Sequence, residues 1–577
     1  MNKIVLLFCG FGCFVGCKKS VEETPGPPPP VPPVDTVVVV PAIDPPVSST
    51  IGFFLDDWQP KTFTAPGFTG GTKPLNTSAA VTIETGSVIT RIPRSIAGNN
   101  SNLWMTQIVT ETGLVNHINQ LKPHIMRFPG GSISDVFFWN AQKNVPPADA
   151  PTQLMKADGS KENAGYWFGK NTESWTFSVD NYYQFLQQTN NTGMITINYG
   201  YARYSTAADP VASAAHLAAD WVRYDNGRTE YWEIGNENFG DWEAGYRIDP
   251  AQNKDGQSEF GSGQLYGRHF KVFADSMRKA AQETGKTIRI GAVLYDSPPQ
   301  SWNTNTVKTW NEGVVPGAGS SPDFYIVHSY YTPYNQPSNA AEILASGSTE
   351  TKRLMEFVKQ ALQAGGATEK PVALTEWNIF ATGLKQQVSH INGMHGVMVV
   401  GNALKNKYGM TSRWDLANAW DNGNDHGMFN IGDEPDGVPK WNPRPAFYHL
   451  YFFQKFLGDR LVNANISGNA NIESFASTFS SGQVAVTLVN KSGTPINVEI
   501  KVNNFNAGSR YYWYSLTGGD DNGEFSRKVF VNGQGPSGAA GGPASYATLN
   551  AFSAMCSGGI KVSVPAYATV CVAIDKR

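Results

Sequence analysis

Charge is scarce in this sequence: only 16% of its 577 residues are Asp, Glu, Lys or Arg, and the formal net charge is -3. No long basic run occurs, which removes the electrostatic footprint of a nucleic-acid binder. Metal motifs are missing too. There is no HExxH, no pair of CxxC and no Asp-rich loop of the EF-hand type, so no metal or other cofactor is expected and a metal-dependent hydrolase has no support. Cysteine is rare, five in all, and Cys9, Cys13 and Cys17 crowd the beginning. Only Cys556 and Cys571 remain in the body of the chain, which allows one disulfide without requiring it.

What is present argues for a large folded body. Hydrophobic residues make up 41% and aromatics 12%, enough for a sizeable core and more than one domain. The 15 Trp and 23 Tyr exceed what a core strictly needs; exposed rings suit sugar faces, although core packing is the default for any single one.

The first residues, "MNKIVLLFCGFGCFVGCKKS", join a Lys to an apolar stretch too short to span a bilayer. They read as a signal peptide. The ending "FVGC" resembles a bacterial lipobox, which implies cleavage before Cys17, acylation of Cys17 and an exported protein tethered to a membrane. An ordinary secretory signal with an incidental Cys is the alternative. Residues 18–49 then form a proline-dense, extended spacer around "TPGPPPPVPP".

Residues 50–87 look β-rich and are placed as a lead-in to a later sandwich. From 88 to 460, β-branched runs alternate with stretches of helical period. The eight strand candidates are "VITRIP" (88–93), "HIMRFPGG" (124–131), "MITINYG" (194–200), "EYWEIGNE" (230–237), "TIRIGAVLY" (287–295), "DFYIVHSYY" (323–331), "VALTEWN" (372–378) and "WDLANAW" (414–420). Helical faces lie between them, such as Tyr266, Phe270, Phe273 and Met277. Another carries Leu354, Phe357, Val358 and Leu362, closed by Gly365-Gly366. Eight strand-helix units imply an α/β fold closed into a (β/α)8 TIM barrel. An open doubly wound sheet is the runner-up. Over 461–577 the period changes to two, as in "VAVTLVN", which predicts an antiparallel β-sandwich.

In such a barrel the chemistry sits at the C-terminal strand ends. The polar residues there are Arg127, Asn198, Asn236, Glu237, His328, Tyr330 and Glu376, accompanied by Trp377 and Trp420. Strand alternation would turn Glu233, Gly235 and Glu237 inward, with Glu233 a deeper carboxylate held by partners such as Arg127. Glu237 and Glu376, on strands nearly opposite each other, would converge over the axis. Two facing carboxylates are the minimal machinery for glycosidic bond hydrolysis, one protonated and the other ionised.

"RFPGG", "WEIGNE", "HSYY" and "TEWN", in that order, resemble the retaining glycoside hydrolases of clan A, and most of all the family 51 α-L-arabinofuranosidases. The likeness covers roughly residues 85–460. It implies that Glu237 is the general acid/base, Glu376 the nucleophile, and Asn236 the residue that binds the sugar 2-hydroxyl. It further implies Tyr330 against Glu376, His328 near the acid/base and Arg127 beneath the nucleophile. Two departures concern the sugar contacts: Ser132 stands where the family usually has Asn after "RFPGG", and the family's strand-1 glutamate has no clear counterpart. The long segment 139–176 carries Trp139, Tyr166, Trp167, Phe168 and Trp175, rings that wall a polysaccharide cleft or pack the loop down. The alternatives are an endo-β-glycanase of the same clan, agarase-like or xylanase-like, and a surface glycan-binding lipoprotein without catalysis.

Overall fold

Eight parallel strands close on themselves in chain order. They are β1 (Gly98–Asn100), β2 (Ile125–Phe128), β3 (Thr192–Ile197), β4 (Thr229–Ile234), β5 (Arg289–Val293), β6 (Phe324–Tyr330), β7 (Val372–Asn378) and β8 (Met410–Arg413). β8 meets β1 with Ser412 opposite Gly98, so the sheet has no open edge. The barrel is therefore the architecture, and the open sheet is excluded. This computed structural model describes residues 38–45, 53–334, 336–380, 385–519, 521 and 523–577. The leader, Cys17 and most of the spacer lie outside the described residues.

The barrel interior is layered by polarity. Ile125, Met194, Tyr231, Phe324, Ile326, Ala373 and Met410 form an apolar lower layer, one or two residues from each of six strands, and Phe54 caps it from the preceding segment. Burying each Ile, Met or Phe among them contributes about 1.5–3 kcal/mol. With the bottom sealed, the charged inward residues Arg127, Glu233, His328 and Glu376 are confined to the upper end of the barrel. Helices cover the outside as their patterns require: Gly263–Glu283 buries Tyr266, Phe270, Phe273 and Met277. Ala340–Ala364 buries Leu354, Val358 and Leu362 and stops at Gly365, while Phe357 is half-buried.

Two strands differ from expectation. The run at 88–93 does not open the barrel: Ala79–Arg91 is a sandwich strand, paired with Arg460–Ser467 and Ile496–Asn503. Its alternating burial over Ala79–Thr85 is that of a strand with one wet face. The true β1 reads "GNN" and carries no apolar signal. Packing dictates those residues instead. A Cβ on Gly98 would lie 2.7 Å from Ser412 Oγ and from the Thr411 carbonyl, and the Asn100 amide donates to Thr375 O at 3.0 Å and Ser412 O at 3.2 Å. Likewise β8 is "MTSR", four residues before the expected run; within 414–420 only Ala417–Asn418 is extended, paired with Phe429–Asn430.

Eleven further strands make one sheet that folds over a second core including Val81, Val486, Val498, Val562 and Val572. Strands of the C-terminal segment pair antiparallel with one another. The two parallel pairings are those made by Phe68–Gly70 and Ala79–Arg91. Cys556 and Cys571 are free thiols; Cys571 is buried. The helix Pro445–Phe456 packs on this sheet, with Phe452 4.6 Å from Tyr514 and Phe453 6.1 Å from Phe475 between ring centroids.

Candidate active site

β4 ends at Ile234, and a turn rather than strand alternation delivers Glu237. Gly235 takes φ 79°, where a Cβ would stand 1.9 Å from Asn238 Oδ1; only glycine fits. Glu237 itself adopts the left-handed region at φ 44°, a sparsely populated backbone state held by the surrounding structure. The glutamate is thereby aimed across the barrel mouth, its side chain 18% exposed. Glu376 points inward from β7 and its side chain is only 8% exposed.

Arg127, fully buried on β2, organises the floor. Its Nε donates to Glu233 Oε2 at 2.5 Å, and Nη1 donates to Asn100 Oδ1 at 2.9 Å and Glu376 Oε2 at 3.2 Å. Nη2 donates to Asn236 Oδ1 at 2.9 Å. Thr196 donates a second hydrogen bond to Glu233 Oε2 at 2.6 Å. Burial opposes the guanidinium charge, but Glu233 and Glu376 outweigh it and hold Arg127 charged. Glu233 is thus a supporting carboxyl beneath the site.

The two mouth carboxylates receive different partners. On Glu376, the Tyr330 hydroxyl donates to Oε1 at 2.5 Å while Arg127 occupies Oε2. Burial keeps the Tyr330 phenol far above its ordinary value, so it remains a donor. His328 Nδ1 lies 2.9 Å from Glu237 Oε1 and 3.7 Å from Glu376 Oε2, and its Nε2 is 3.0 Å from Thr375 Oγ1. Burial disfavours the imidazolium, yet Glu376 and the Glu237 hydrogen bond raise His328 above its ordinary value. Burial and then Glu237 lift the Glu376 carboxyl, against the opposing pull of His328, Arg127 and Tyr330. Glu237, His328 and Glu376 bring one donor atom each within 4.8 Å of one another, a set able to ligate a cation. The Arg127 guanidinium already supplies positive charge at that point and repels a second.

A second carboxyl pair sits behind Asn236. Glu243 Oε1 accepts from Ser132 Oγ at 2.8 Å and Asn236 Nδ2 at 3.0 Å. Asp135 accepts from Gly200 N at 2.9 Å and Asn238 Nδ2 at 2.8 Å. Burial raises Asp135 to about 7, and burial followed by the charges of Asp135 and Glu237 raises Glu243 well above the carboxylate range. Asn236 is therefore clamped on both sides of its amide, by Arg127 and by Glu243.

Of the residues singled out in the sequence, Glu237, Glu376, Arg127, Asn236, His328 and Tyr330 converge in this one cluster. Three do not. Asn198 spends its amide on Phe137 O at 3.2 Å and Tyr204 at 3.1 Å, and its Oδ1 accepts from Tyr201 N, so it shapes the loop after β3. Trp377, next to inward Glu376, must point outward; it is 1% exposed, and a Cβ on Gly396 of the helix His390–Lys405 would stand 3.8 Å from its ring. Trp420 lies beyond the end of β8 under two guanidinium groups, Arg444 at 6.0 Å and Arg527 at 5.2 Å. Sequence reasoning missed Asn100, Thr196, Thr375, Asp135 and Glu243. Glu243 left one signal, a carboxylate in the aromatic stretch "NFGDWEAG" directly after the acid/base candidate.

Residues 117–312 match the family model described as alpha-L-arabinofuranosidase 1 domain. They carry Arg127, Asn236 and Glu237 of the cluster, and Glu233 beneath it. Among curated proteins the chain is similar to an intracellular exo-alpha-(1->5)-L-arabinofuranosidase of Acetivibrio thermocellus, 22% identical over 286 residues, 46% of this chain and 48% of that one. The match thus spans about half the length of the relative. Among solved structures, the α-L-arabinofuranosidase of Thermotoga maritima superposes with a TM-score of 0.57 at 17% identity, covering 86% of this chain and 99% of that one. AbfB, a family 51 enzyme of Bifidobacterium longum, gives 0.60 at 16% identity over 86% and 100%. At these identities the superpositions establish the shared fold, a barrel with a strand-rich second domain. The resemblance to clan A glycoside hydrolases of the family 51 kind thus has support from sequence model, relative and fold.

Proposed function

We propose that this chain is a retaining glycoside hydrolase, arabinofuranosidase-like, working by double displacement with Glu376 as nucleophile and Glu237 as acid/base. The observation that carries the reading is the separation of the pair. An oxygen of each lies within 4.8 Å of one of the other, close to the roughly 5–5.5 Å of retaining enzymes and short of the roughly 6.5–9.5 Å that inversion needs for an intervening water.

The donors divide the labour. Arg127 and Tyr330 both donate to Glu376 and stabilise the carboxylate form that attacks, and the role of proton donor falls to its facing partner Glu237. A sugar bound in the mouth places its anomeric carbon against Glu376. Glu376 attacks, the glycosidic C–O bond breaks, and the leaving oxygen takes the Glu237 proton. Glu237 then removes a proton from water, the water attacks the same carbon, and Glu376 departs as carboxylate. The Asn236 amide, with one N–H on Glu243, keeps its second N–H for the sugar 2-hydroxyl.

The test is paired. Glu376→Ala should abolish hydrolysis of aryl glycosides and polysaccharides. Glu237→Ala should retain good leaving groups and regain activity with azide. Equal, unrescued activity in both variants overturns the assignment, and a fluorinated glycoside that labels Glu376 supports it over the binding-only alternative. The leader residues support export and acylation at Cys17; labelling with a radioactive fatty acid, lost in Cys17→Ser, checks that arm.

A further inference from the structure

We propose that the barrel mouth carries a glycan-binding arc of aromatic platforms, Trp242, Trp302 and Tyr334, that engages several consecutive sugars of a polysaccharide rather than a single terminal residue. The proposal rests on the glycosidase reading and extends it to substrate class. Three of the fifteen tryptophans are exposed, Trp175 at 47%, Trp242 at 60% and Trp302 at 79%, and all lie on loops that follow barrel strands. Tyr334 is 68% exposed on the loop after β6. The loops bearing Trp242, Trp302 and Tyr334 leave β4, β5 and β6, which are neighbours in the barrel, so the rings follow one another along the rim. Two strand spacings alone are roughly 10 Å.

The arc is continuous with the catalytic pair. Tyr334 packs edge-on against Phe380 at 5.1 Å, Phe380 stacks on Tyr330 at 4.2 Å and 20°, and Tyr330 donates to Glu376. At the other end Trp242 rests edge-on against Phe239, 6.3 Å away and two positions past Glu237. These inner rings hold Trp242 and Tyr334 in place before any ligand arrives, which lowers the ordering cost of binding. The pattern fits a carbohydrate. Each platform alternates with hydrogen-bonding residues, as in "GDWE" and "QSWN", whereas a protein partner calls for a contiguous apolar centre. A sugar presents C–H groups to the negative ring face and hydroxyls to the polar neighbours.

The test uses the full chain carrying Glu376→Gln, which holds substrate without turning it over, run in native gels containing arabinan, arabinoxylan, xyloglucan or agar. At least one polymer should retard it. Trp302→Ala and Trp242→Ala should each weaken the retardation threefold or more, Trp302→Tyr should restore most of it, and Phe68→Ala on the sandwich should leave it unchanged. Circular dichroism and thermal unfolding of each variant check that the exposed substitutions leave the fold intact. No retardation by any polymer, or retardation equal in all variants, overturns the arc even if the wild type cleaves aryl glycosides. Ring-dependent retardation without hydrolysis by the wild type keeps the arc and overturns the hydrolase reading.

Discussion

Two of the buried charge clusters of this molecule differ in access rather than in composition. The first joins Arg127 to Glu233, Glu376, Asn236 and His328 at the barrel mouth. The second, beyond β8, joins Arg444 to Asp425 at 2.6 Å and to Glu434 at 3.0 Å, with Arg527 on Glu434 at 2.9 Å. Both perturb their ionisable groups: burial lifts Glu376 above its ordinary value in the first and Asp425 to about 7 in the second. The Asp425 and Glu434 side chains are fully enclosed, however, whereas Glu237 reaches the open mouth. A shifted titration therefore marks burial, and only a carboxylate open to a ligand marks chemistry.

Breaking the comparison starts with the carboxylates. Glu376→Gln should lower kcat about 10⁴-fold or more, while Glu434→Gln leaves kcat intact; steady-state kinetics on the cleaved glycoside decides, and equal losses would erase the distinction. Next come the arginines. Arg127→Met and Arg444→Met each strand buried carboxylates and should destabilise by about 3–5 kcal/mol. Thermal unfolding reads both, and only Arg127→Met should also shift the pH profile of kcat/KM.

Tyr330→Phe removes one hydrogen bond to a charged group, worth about 1.5–3 kcal/mol, and should slow turnover about 10–150-fold. That bond lowers Glu376, so its loss moves the acid limb of the kcat/KM profile to higher pH. The smallest effect concerns Glu243. Its folded value lies above its unfolded one, so the stability it contributes is complete below the unfolded value near 4.5 and is lost as pH rises through the folded value. Glu243→Gln keeps the Oε1 acceptor and removes that loss. The unfolding temperatures of the two proteins should nearly coincide at pH 4.5 and diverge in favour of Gln as pH rises.

How legible the fold was varied by strand. β2 to β7 carry apolar or β-branched runs bounded by loops, and each expected run overlaps the observed strand. β1 and β8, "GNN" and "MTSR", are selected by close backbone approach and amide hydrogen bonds, which leave no hydrophobic period. Residues at the end of a strand gathered where the side chain pointed inward, as with Glu376, and failed where period two turns the neighbour outward, as with Trp377. Asn198 failed because its amide is used locally, a choice settled by the loop around Tyr201 and Tyr204.

The sequence by itself determined the strand-helix alternation, the apolar faces and the order of four polar motifs, because these depend on neighbours a few residues apart. Tertiary structure alone decided which carboxylate is held by donors and which is left open. Arg127 reaches Glu376 across 249 residues of chain, and His328 reaches Glu237 across 91. Such pairings exist only after the barrel closes, since the closure of the sheet, and not any local period, brings those strand ends together over one axis.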